Sequence, residues 1–193
     1  MAEVKILEQQ ADAPPVSKWL NYLIEGTILV LALLLGLTIR WGIYETTIVT
    51  SGSMEATIQV RDRLLIDHRS SLHQHWQRGD IIMFTSPKSW DVPDDTLIKR
   101  VIALPGETLE IRQGQVFINN QPIKETYLKE APNQDNIGPI SLEPNAYYVM
   151  GDNRNNSDDS RNNGPITDSR IEGRAIYRLG PLGRVGGLPA VQY

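Results

Sequence analysis

The feature that most constrains this chain is a long apolar stretch near its N-terminus. Residues 20–39 are predominantly apolar, and residues 26–39 carry no charge. A helix of twenty residues is about 30 Å long, which equals the thickness of the hydrocarbon core of a bilayer. Aromatic residues, which favour the interface between lipid and water, flank the stretch: Trp19, Tyr22, Trp41 and Tyr44. We therefore predict one transmembrane helix, a signal anchor over residues 19–43, rather than a buried core helix.

The sequence on either side of this stretch indicates an anchor that is retained. Residues 1–18 are polar, contain a Pro-Pro pair and predict a flexible tail. A cleavable leader would end in small residues, whereas Arg40-Trp41-Gly42 follows here. Basic residues lie on both sides of the span, so their distribution does not orient it in the membrane.

Beyond Tyr44 the sequence changes to short runs that are typical of β-strands, separated by turn residues. The runs cover residues 46–50, 63–67, 80–85, 96–104, 108–111, 115–119, 146–150 and 174–179. Gln113-Gly114 predicts a hairpin turn, and Asn119-Asn120 predicts a second turn. Residues 130–144 and the segment after Gly180 predict loops. The predicted fold class is mainly β, with one mostly antiparallel domain over residues 44–193 after the transmembrane helix.

Composition excludes several kinds of function. The chain has no cysteine, which removes disulfides, thiol nucleophiles and cysteine-bound metals. Its formal net charge of -4 argues against a nucleic-acid partner. The histidines His68, His73 and His75 lie in one polar segment, which we interpret as a solvated loop instead of a metal site. We predict no metal and no cofactor.

A short segment after the predicted membrane span offers a nucleophile. In Ser51-Gly52-Ser53-Met54 the glycine permits a sharp turn, from which the Ser53 hydroxyl can project. The Ser53 N–H and the Ser51 hydroxyl could then both face a developing oxyanion. An ordinary turn between two strands has a similar composition, so this segment alone does not decide the function.

A lysine inside an apolar strand offers a base. A serine hydroxyl needs a group that removes its proton, and no histidine lies in a suitable setting. Lys99 shares its predicted strand face with Leu97, Val101 and Ala103. Apolar neighbours would exclude water from the amine, lower its pKa and let it act as a general base. The alternative is an edge-strand lysine whose ammonium group lies in solvent.

A third segment, residues 151–161, is dense in polar side chains and follows the predicted strand 146–150. It is not a calcium loop, because the glycine and glutamate required at the sixth and twelfth loop positions are missing. We interpret the segment as a scaffold that fixes the lysine through hydrogen bonds and charge pairs.

Together, the three segments resemble the type I signal peptidases, the serine–lysine proteases that remove signal peptides from exported proteins. Residues 51–55, SGSME, match the nucleophile motif of that family. Residues 98–106, IKRVIALPG, match the motif of its general base, and residues 151–161 match its third motif. The resemblance extends from the membrane span to about Arg178.

This resemblance implies a role for each matching residue. Ser53 is expected to be the nucleophile and Lys99 the general base, with Ser51 as a side-chain donor in the oxyanion hole. The residues expected to orient and support the lysine are Ser157, which would bind its amine, and the charge pairs Asp159–Arg161 and Arg100–Asp152. The residues expected to line shallow substrate pockets are Val49, Ile58, Leu64 and Ile98. Such pockets admit alanine and exclude bulkier side chains, which implies cleavage after Ala-x-Ala.

The resemblance further implies a membrane-bound serine endopeptidase that cleaves exported preproteins and contacts lipid. The implied location is a bacterial plasma membrane, or an internal energy-transducing membrane, with a single span. Residues 1–18 would then be cytoplasmic and the catalytic domain extracytoplasmic. Ala56 departs from the family, in which proline is usual. Two alternatives stay open: a non-catalytic membrane-tethered β module that binds envelope partners, and a self-cleaving repressor, which would need a DNA-binding segment where the span lies.

Overall fold

The computed structural model of the chain describes residues 18–69, 71, 76–91, 95–189 and 191, without the side chains of residues 38–42. The predicted tail therefore lies outside the described residues, apart from Lys18, as do His73 and His75. The chain divides into two compact units, residues 1–40 and 41–193, which we describe separately.

The first unit contributes most of one long helix, α1, which runs from Lys18 to Ile43. The helix covers the residues predicted for the anchor, 19–43, and begins one residue earlier; its role as an anchor stays a prediction. Its residues 18–37 have a mean hydropathy of 2.0, and none of them is buried. Leu29 and Leu33 are 70% and 62% exposed, which suits side chains that face lipid. Among the described residues, α1 is the one helix long and apolar enough to cross a membrane.

Within the described residues, the second unit contains twelve strands and a short helix, α2, over Ser160–Asn163. The strands are β1 Tyr44–Ile48, β2 Arg63–Asp67, β3 Ile81–Thr85, β4 Thr96–Ala103, β5 Thr108–Arg112, β6 Gln115–Ile118, β7 Gln121–Pro122, β8 Ile137–Ser141, β9 Ala146–Met150, β10 Ile166–Thr167, β11 Ile171–Gly180 and β12 Gly186–Gly187. The short 3₁₀ turns are Arg154–Asn156, Asp168–Arg170 and Leu182–Arg184. The prediction of a mainly β fold is confirmed.

The strands form two antiparallel sheets. The larger sheet has the order β1-β2-β11-β3-β4-β9-β10, with β12 paired to β11, and the smaller has the order β7-β6-β5-β8. The predicted turns are confirmed between β5 and β6 and between β6 and β7. Gln113 and Gly114 have φ of 48° and 80°, and Asn119 and Asn120 have φ of 50° and 65°. Glycine and asparagine tolerate this backbone region, which two-residue hairpin turns require.

The loop predicted over residues 130–144 is wrong in part, because β8 lies within it and pairs with β5. Gly138 and Pro139 interrupt the apolar alternation of this strand, so the sequence does not show it. Proline is tolerated there because β8 is at the edge of its sheet. The segment after Gly180, also predicted as a loop, contains the two-residue strand β12.

Three clusters of buried apolar side chains hold the second unit together, and β4 contributes to each of them. Ile102 lies with Leu109 in a cluster that joins the smaller sheet to β4 and β9. Val101 belongs to a second cluster, and Ile98 packs against a third, which also contains Met54. Burial of one such side chain contributes about 1.5–3 kcal/mol, so β4 is fixed on both of its faces.

Candidate active site

The segment after β1 forms a tight turn that carries Ser53. Val49 anchors its start, because its N–H donates to the Asp62 carbonyl at 2.9 Å. Within the turn, the Glu55 N–H donates to the Gly52 carbonyl at 3.2 Å. Ser53 itself is only 8% exposed. The turn therefore holds a serine hydroxyl in a nearly dry position.

Strand β4 presents Lys99 to this serine. The Lys99 Nζ atom donates to Ser53 Oγ at 2.7 Å, and the residue is 3% exposed. Exclusion of water lowers the pKa of the Lys99 amine, while the negative charges of Asp159 and Asp158 oppose that effect. This burial contradicts the alternative in which Lys99 is an edge-strand residue with its ammonium group in solvent.

The apolar neighbours of Lys99 differ in one place from the predicted alternation. Leu97 and Val101 pack in one cluster, as expected, but Ala103 lies with Ile102 in another. The register of β4 against β9 shifts between Val101 and Ala103, which is a β-bulge. The bulge turns Ala103 to the other face of the strand, so the predicted common face of Lys99 and Ala103 is wrong.

Ser51 lies beside the pair but remains exposed. Its Oγ atom is 3.4 Å from Ser53 Oγ. Among the described residues, the Ser53 N–H donates to no other group. The structure thus places two donors, the Ser51 hydroxyl and the Ser53 N–H, beside the Ser53 hydroxyl.

The third segment forms a compact network centred on the fully buried Asp159. This carboxylate accepts hydrogen bonds from Arg161 Nε at 2.9 Å, from the Gly151 N–H at 2.9 Å and from Ser157 Oγ at 2.7 Å. These donors, Arg161 foremost, hold the pKa of Asp159 below its ordinary value against the opposing effect of burial. Among the described contacts, Ser157 binds Asp159 and not Lys99, so its predicted contact with the amine stays a prediction.

Gly151 allows this network to lie directly against the serine turn. A Cβ atom at that position would be 2.5 Å from the Ser53 carbonyl oxygen and 2.3 Å from Ser157 Oγ. Real Cβ atoms do not approach other atoms this closely. Only glycine therefore fits between the nucleophile turn and the network.

Arg100 and Asp152 form a fully buried ion pair that joins β4 to the third segment. Arg100 donates to Asp152 through Nε at 2.8 Å and through Nη2 at 2.6 Å. Arg100 Nη1 also donates to the Gly79 carbonyl at 2.7 Å. The geometry is bidentate, which is the strongest arrangement of a guanidinium and a carboxylate.

Sequence reasoning missed several residues that complete the site. Thr57 Oγ1 donates to Asp152 at 2.5 Å, and the Tyr127 ring lies 4.1 Å from the Arg100 guanidinium. Asn153, which lies inside the third motif, donates to two carbonyls of the serine turn. No local pattern marks Thr57 or Tyr127, because each meets its partner across a long separation in sequence.

A cleft of about 430 Å³ opens beside Ser53 and Lys99. Its walls are residues 47–51, which include the end of β1, and residues 95–99, at the start of β4, together with Ser53, Met54 and Ile58. Three of the predicted pocket residues line it: Val49, Ile58 and Ile98. Leu64 does not line it. Its side chain is fully buried in the cluster behind the cleft, because its position on β2 faces the core.

Among the described residues, no group of three histidine, cysteine, aspartate or glutamate side chains is placed to hold a metal ion. His68 instead bonds to the Glu45 carboxylate at 3.0 Å and to the Glu172 carbonyl at 2.8 Å. These contacts tie β1 and β11 to the end of β2.

Comparison with known proteins identifies the family. The family described as signal peptidase, peptidase S26, matches residues 20–179. The probable signal peptidase I-2 of Synechocystis is 35% identical over 95% of this chain and 83% of its own length. Signal peptidase I of Leptolyngbya laminosa is 39% identical over 82% of this chain and 79% of its own length.

A solved signal peptidase I from Enterococcus faecalis is 33% identical and covers 52% of this chain and 96% of its own, with a TM-score of 0.45. The family match spans both α1 and the β domain, so the predicted family and enzyme class are confirmed. The family and the apolar helix together indicate a membrane-anchored protein. The chain belongs to the signal peptidase family, peptidase S26, whose members are serine endopeptidases.

Proposed function

We propose that the protein removes N-terminal signal peptides from exported preproteins, cleaving after Ala-x-Ala through a Ser53–Lys99 dyad. The observation that carries this proposal is the 2.7 Å separation of Lys99 Nζ and Ser53 Oγ at a lysine that is 3% exposed. Burial favours the neutral amine, and a neutral amine at hydrogen-bonding distance can remove the hydroxyl proton.

The reaction proceeds by acyl transfer. Neutral Lys99 accepts the proton of Ser53 as the serine oxygen attacks the scissile carbonyl. The protonated amine then gives this proton to the leaving amine, and an acyl-enzyme on Ser53 remains. Lys99 next removes a proton from water, which attacks the ester. The bond to Ser53 Oγ then breaks, Lys99 returns the proton to that oxygen, and the new carboxyl end is released. The Ser53 N–H and the Ser51 hydroxyl stabilise the oxyanion in both halves of the reaction.

The cleft suits an extended peptide. β1 is the terminal strand of the larger sheet, and β9 pairs with β4 only from Arg100 onward. The cleft-facing edges of residues 47–51 and 95–99 therefore offer backbone groups to a substrate strand. Val49, Ile58 and Ile98 narrow the cleft with apolar side chains. Such walls favour alanine over larger side chains, which supports the Ala-x-Ala preference.

The proposal extends to the membrane. We assign the β domain to the extracytoplasmic side of a bacterial plasma membrane or an internal energy-transducing membrane, where the end of a signal peptide emerges. Several apolar side chains of the β domain are exposed and support contact with lipid: Ile48 at 55%, Val60 at 44% and Leu182 at 94%.

The test is cleavage of a preprotein with an Ala-x-Ala site by the full-length protein in detergent. Wild type is compared with Ser53→Ala, Lys99→Ala and the matched control Lys88→Ala, which changes an exposed lysine. We expect the wild type and the control to cut after the second alanine and both dyad variants to be inactive though folded. Cleavage by either dyad variant at the wild-type rate contradicts the proposal.

A further inference from the structure

Asn153 is a buried residue with no role in the reaction as described above. It is 2% exposed, and both of its donors bind the serine turn. Its Nδ2 donates to the Gly52 carbonyl at 3.0 Å, and its N–H donates to the Ser53 carbonyl at 3.0 Å. One residue therefore holds the two carbonyl groups that flank the Ser53 backbone.

Because the peptide bond is planar, the contact to the Gly52 carbonyl also affects the Ser53 N–H. The Gly52 carbonyl and the Ser53 N–H belong to one planar trans peptide, so they point in opposite directions. A donor that fixes the carbonyl therefore also fixes the direction of the N–H. The Glu55 N–H binds the same carbonyl at 3.2 Å, but it belongs to the turn and moves with it. Asn153 is the anchor that comes from outside the turn.

We propose that Asn153 is a positioning residue that aims the Ser53 N–H at the oxyanion. This inference rests on the proposed function, in which Ser53 is the nucleophile. The close approach at Gly151 supports it, since the segment that carries Asn153 is pressed against the Ser53 carbonyl. A preorganised donor stabilises the oxyanion because it needs no reorientation during the reaction.

The test separates oxyanion binding from peptide binding in the full-length protein in detergent. One probe is a peptide ending in Ala-x-alaninal, whose aldehyde forms a tetrahedral adduct with a serine. The second is the same peptide ending in alaninol, which has no carbonyl at that position. The variant is Asn153→Ala. The matched control is Asn155→Ala, which removes an exposed amide that binds the Ala131 carbonyl instead of the serine turn.

We expect Asn153→Ala to lower the affinity for the aldehyde probe by about tenfold or more. Its affinity for the alcohol probe should change by less than about twofold. Its kcat should fall by about the same factor as the affinity for the aldehyde, with KM little changed, and Asn155→Ala should match the wild type. If Asn153→Ala does not fold, Asn153→Asp fills the same volume without the donor and should give the same pattern.

An equal loss of affinity for both probes would show that Asn153 has a merely structural role and would overturn the inference. An unchanged aldehyde affinity overturns it as well. The comparison with Ser53→Ala separates this failure from that of the proposed function. If Ser53→Ala still cleaves preprotein, the proposed function fails and the inference falls with it. If Ser53→Ala is inactive while Asn153→Ala binds the aldehyde normally, the inference alone is wrong.

Discussion

Lys99 and Arg100 are neighbouring basic residues on β4, and both are buried, but their side chains have different partners. Arg100 forms a bidentate ion pair with Asp152 and lies over the Tyr127 ring. Lys99 forms no ion pair with any of the described residues, and its hydrogen bond goes to the neutral Ser53 hydroxyl.

The difference shows how one strand can hold a structural cation and a reactive amine side by side. A buried charge is tolerated when a partner and hydrogen bonds replace its water, as they do for Arg100. A buried amine without such a partner is more stable when it is neutral, so its pKa falls. The Arg100 side therefore contributes rigidity, and in the proposed reaction the Lys99 side supplies the base at the cost of stability.

The largest expected effect comes from Lys99→Met. Loss of the base should lower preprotein cleavage by about 10³-fold, within the range of general-base contributions. Stability should rise, because an apolar side chain replaces a poorly solvated amine. Gel-based cleavage and chemical denaturation in detergent measure the two effects, and Lys88→Met is the control.

The gain in stability of Lys99→Met should depend on pH. Because the folded pKa of Lys99 is lowered, the unfolded chain binds more protons between the folded and the ordinary pKa. The wild type therefore gains stability as the pH rises through that window. The advantage of Lys99→Met should be largest below the folded pKa and should shrink toward the ordinary pKa of lysine. A variant that is less stable than the wild type at every pH would contradict this account.

Asp152→Asn tests the Arg100 side. Removal of the carboxylate leaves a buried guanidinium without its counter-charge, which typically costs about 3–5 kcal/mol of folding free energy. Urea denaturation of the full-length protein in detergent measures this loss of folding free energy. Asp158→Asn changes an exposed carboxylate and should shift stability by less than about 0.5 kcal/mol. Equal effects of the two variants would show that burial of the pair does not matter.

Tyr127→Leu tests a weaker contact of Arg100, the one with the Tyr127 ring. It removes the aromatic face above Arg100, worth about 1–2 kcal/mol when the cation is desolvated. Tyr127→Phe keeps the ring and loses only the hydroxyl that donates to Glu125 at 2.5 Å. Thermal unfolding should therefore rank wild type, Tyr127→Phe and Tyr127→Leu in order of falling stability. If Tyr127→Leu were more stable than Tyr127→Phe, the cation–π contact would not stabilise the fold.

The smallest effect should appear on the Lys99 side, in the pH profile of Asp158→Asn. The charge of Asp158 raises the pKa of Lys99, so its removal should lower that pKa further. The acidic limb of kcat/KM against pH should then move to lower pH. Glu143→Gln, which changes another exposed carboxylate, should leave the limb in place. A shift toward higher pH would have the wrong sign for this interaction.

Sequence reasoning predicted most of the fold and identified the residues that the structure brings together. Lys99, Ser53 and the charge pairs lie in compact motifs, so residues close together in the sequence were enough to identify them. The β8 strand was missed because Gly138 and Pro139 break its alternation. The face of Ala103 was wrong because a bulge depends on the partner strand. Tyr127 was missed because its contact with Arg100 joins distant parts of the chain.

Direct titration tests most simply whether burial lowers the pKa of the Lys99 amine in the folded protein. The chain has six lysines, so NMR of full-length protein with ¹³C-labelled lysine in detergent can follow each one, and Lys99→Met assigns the signal of interest. We expect one signal, absent from that variant, to titrate below the ordinary pKa of lysine. A Lys99 signal that titrates at or above the ordinary pKa of lysine would contradict a base made by burial.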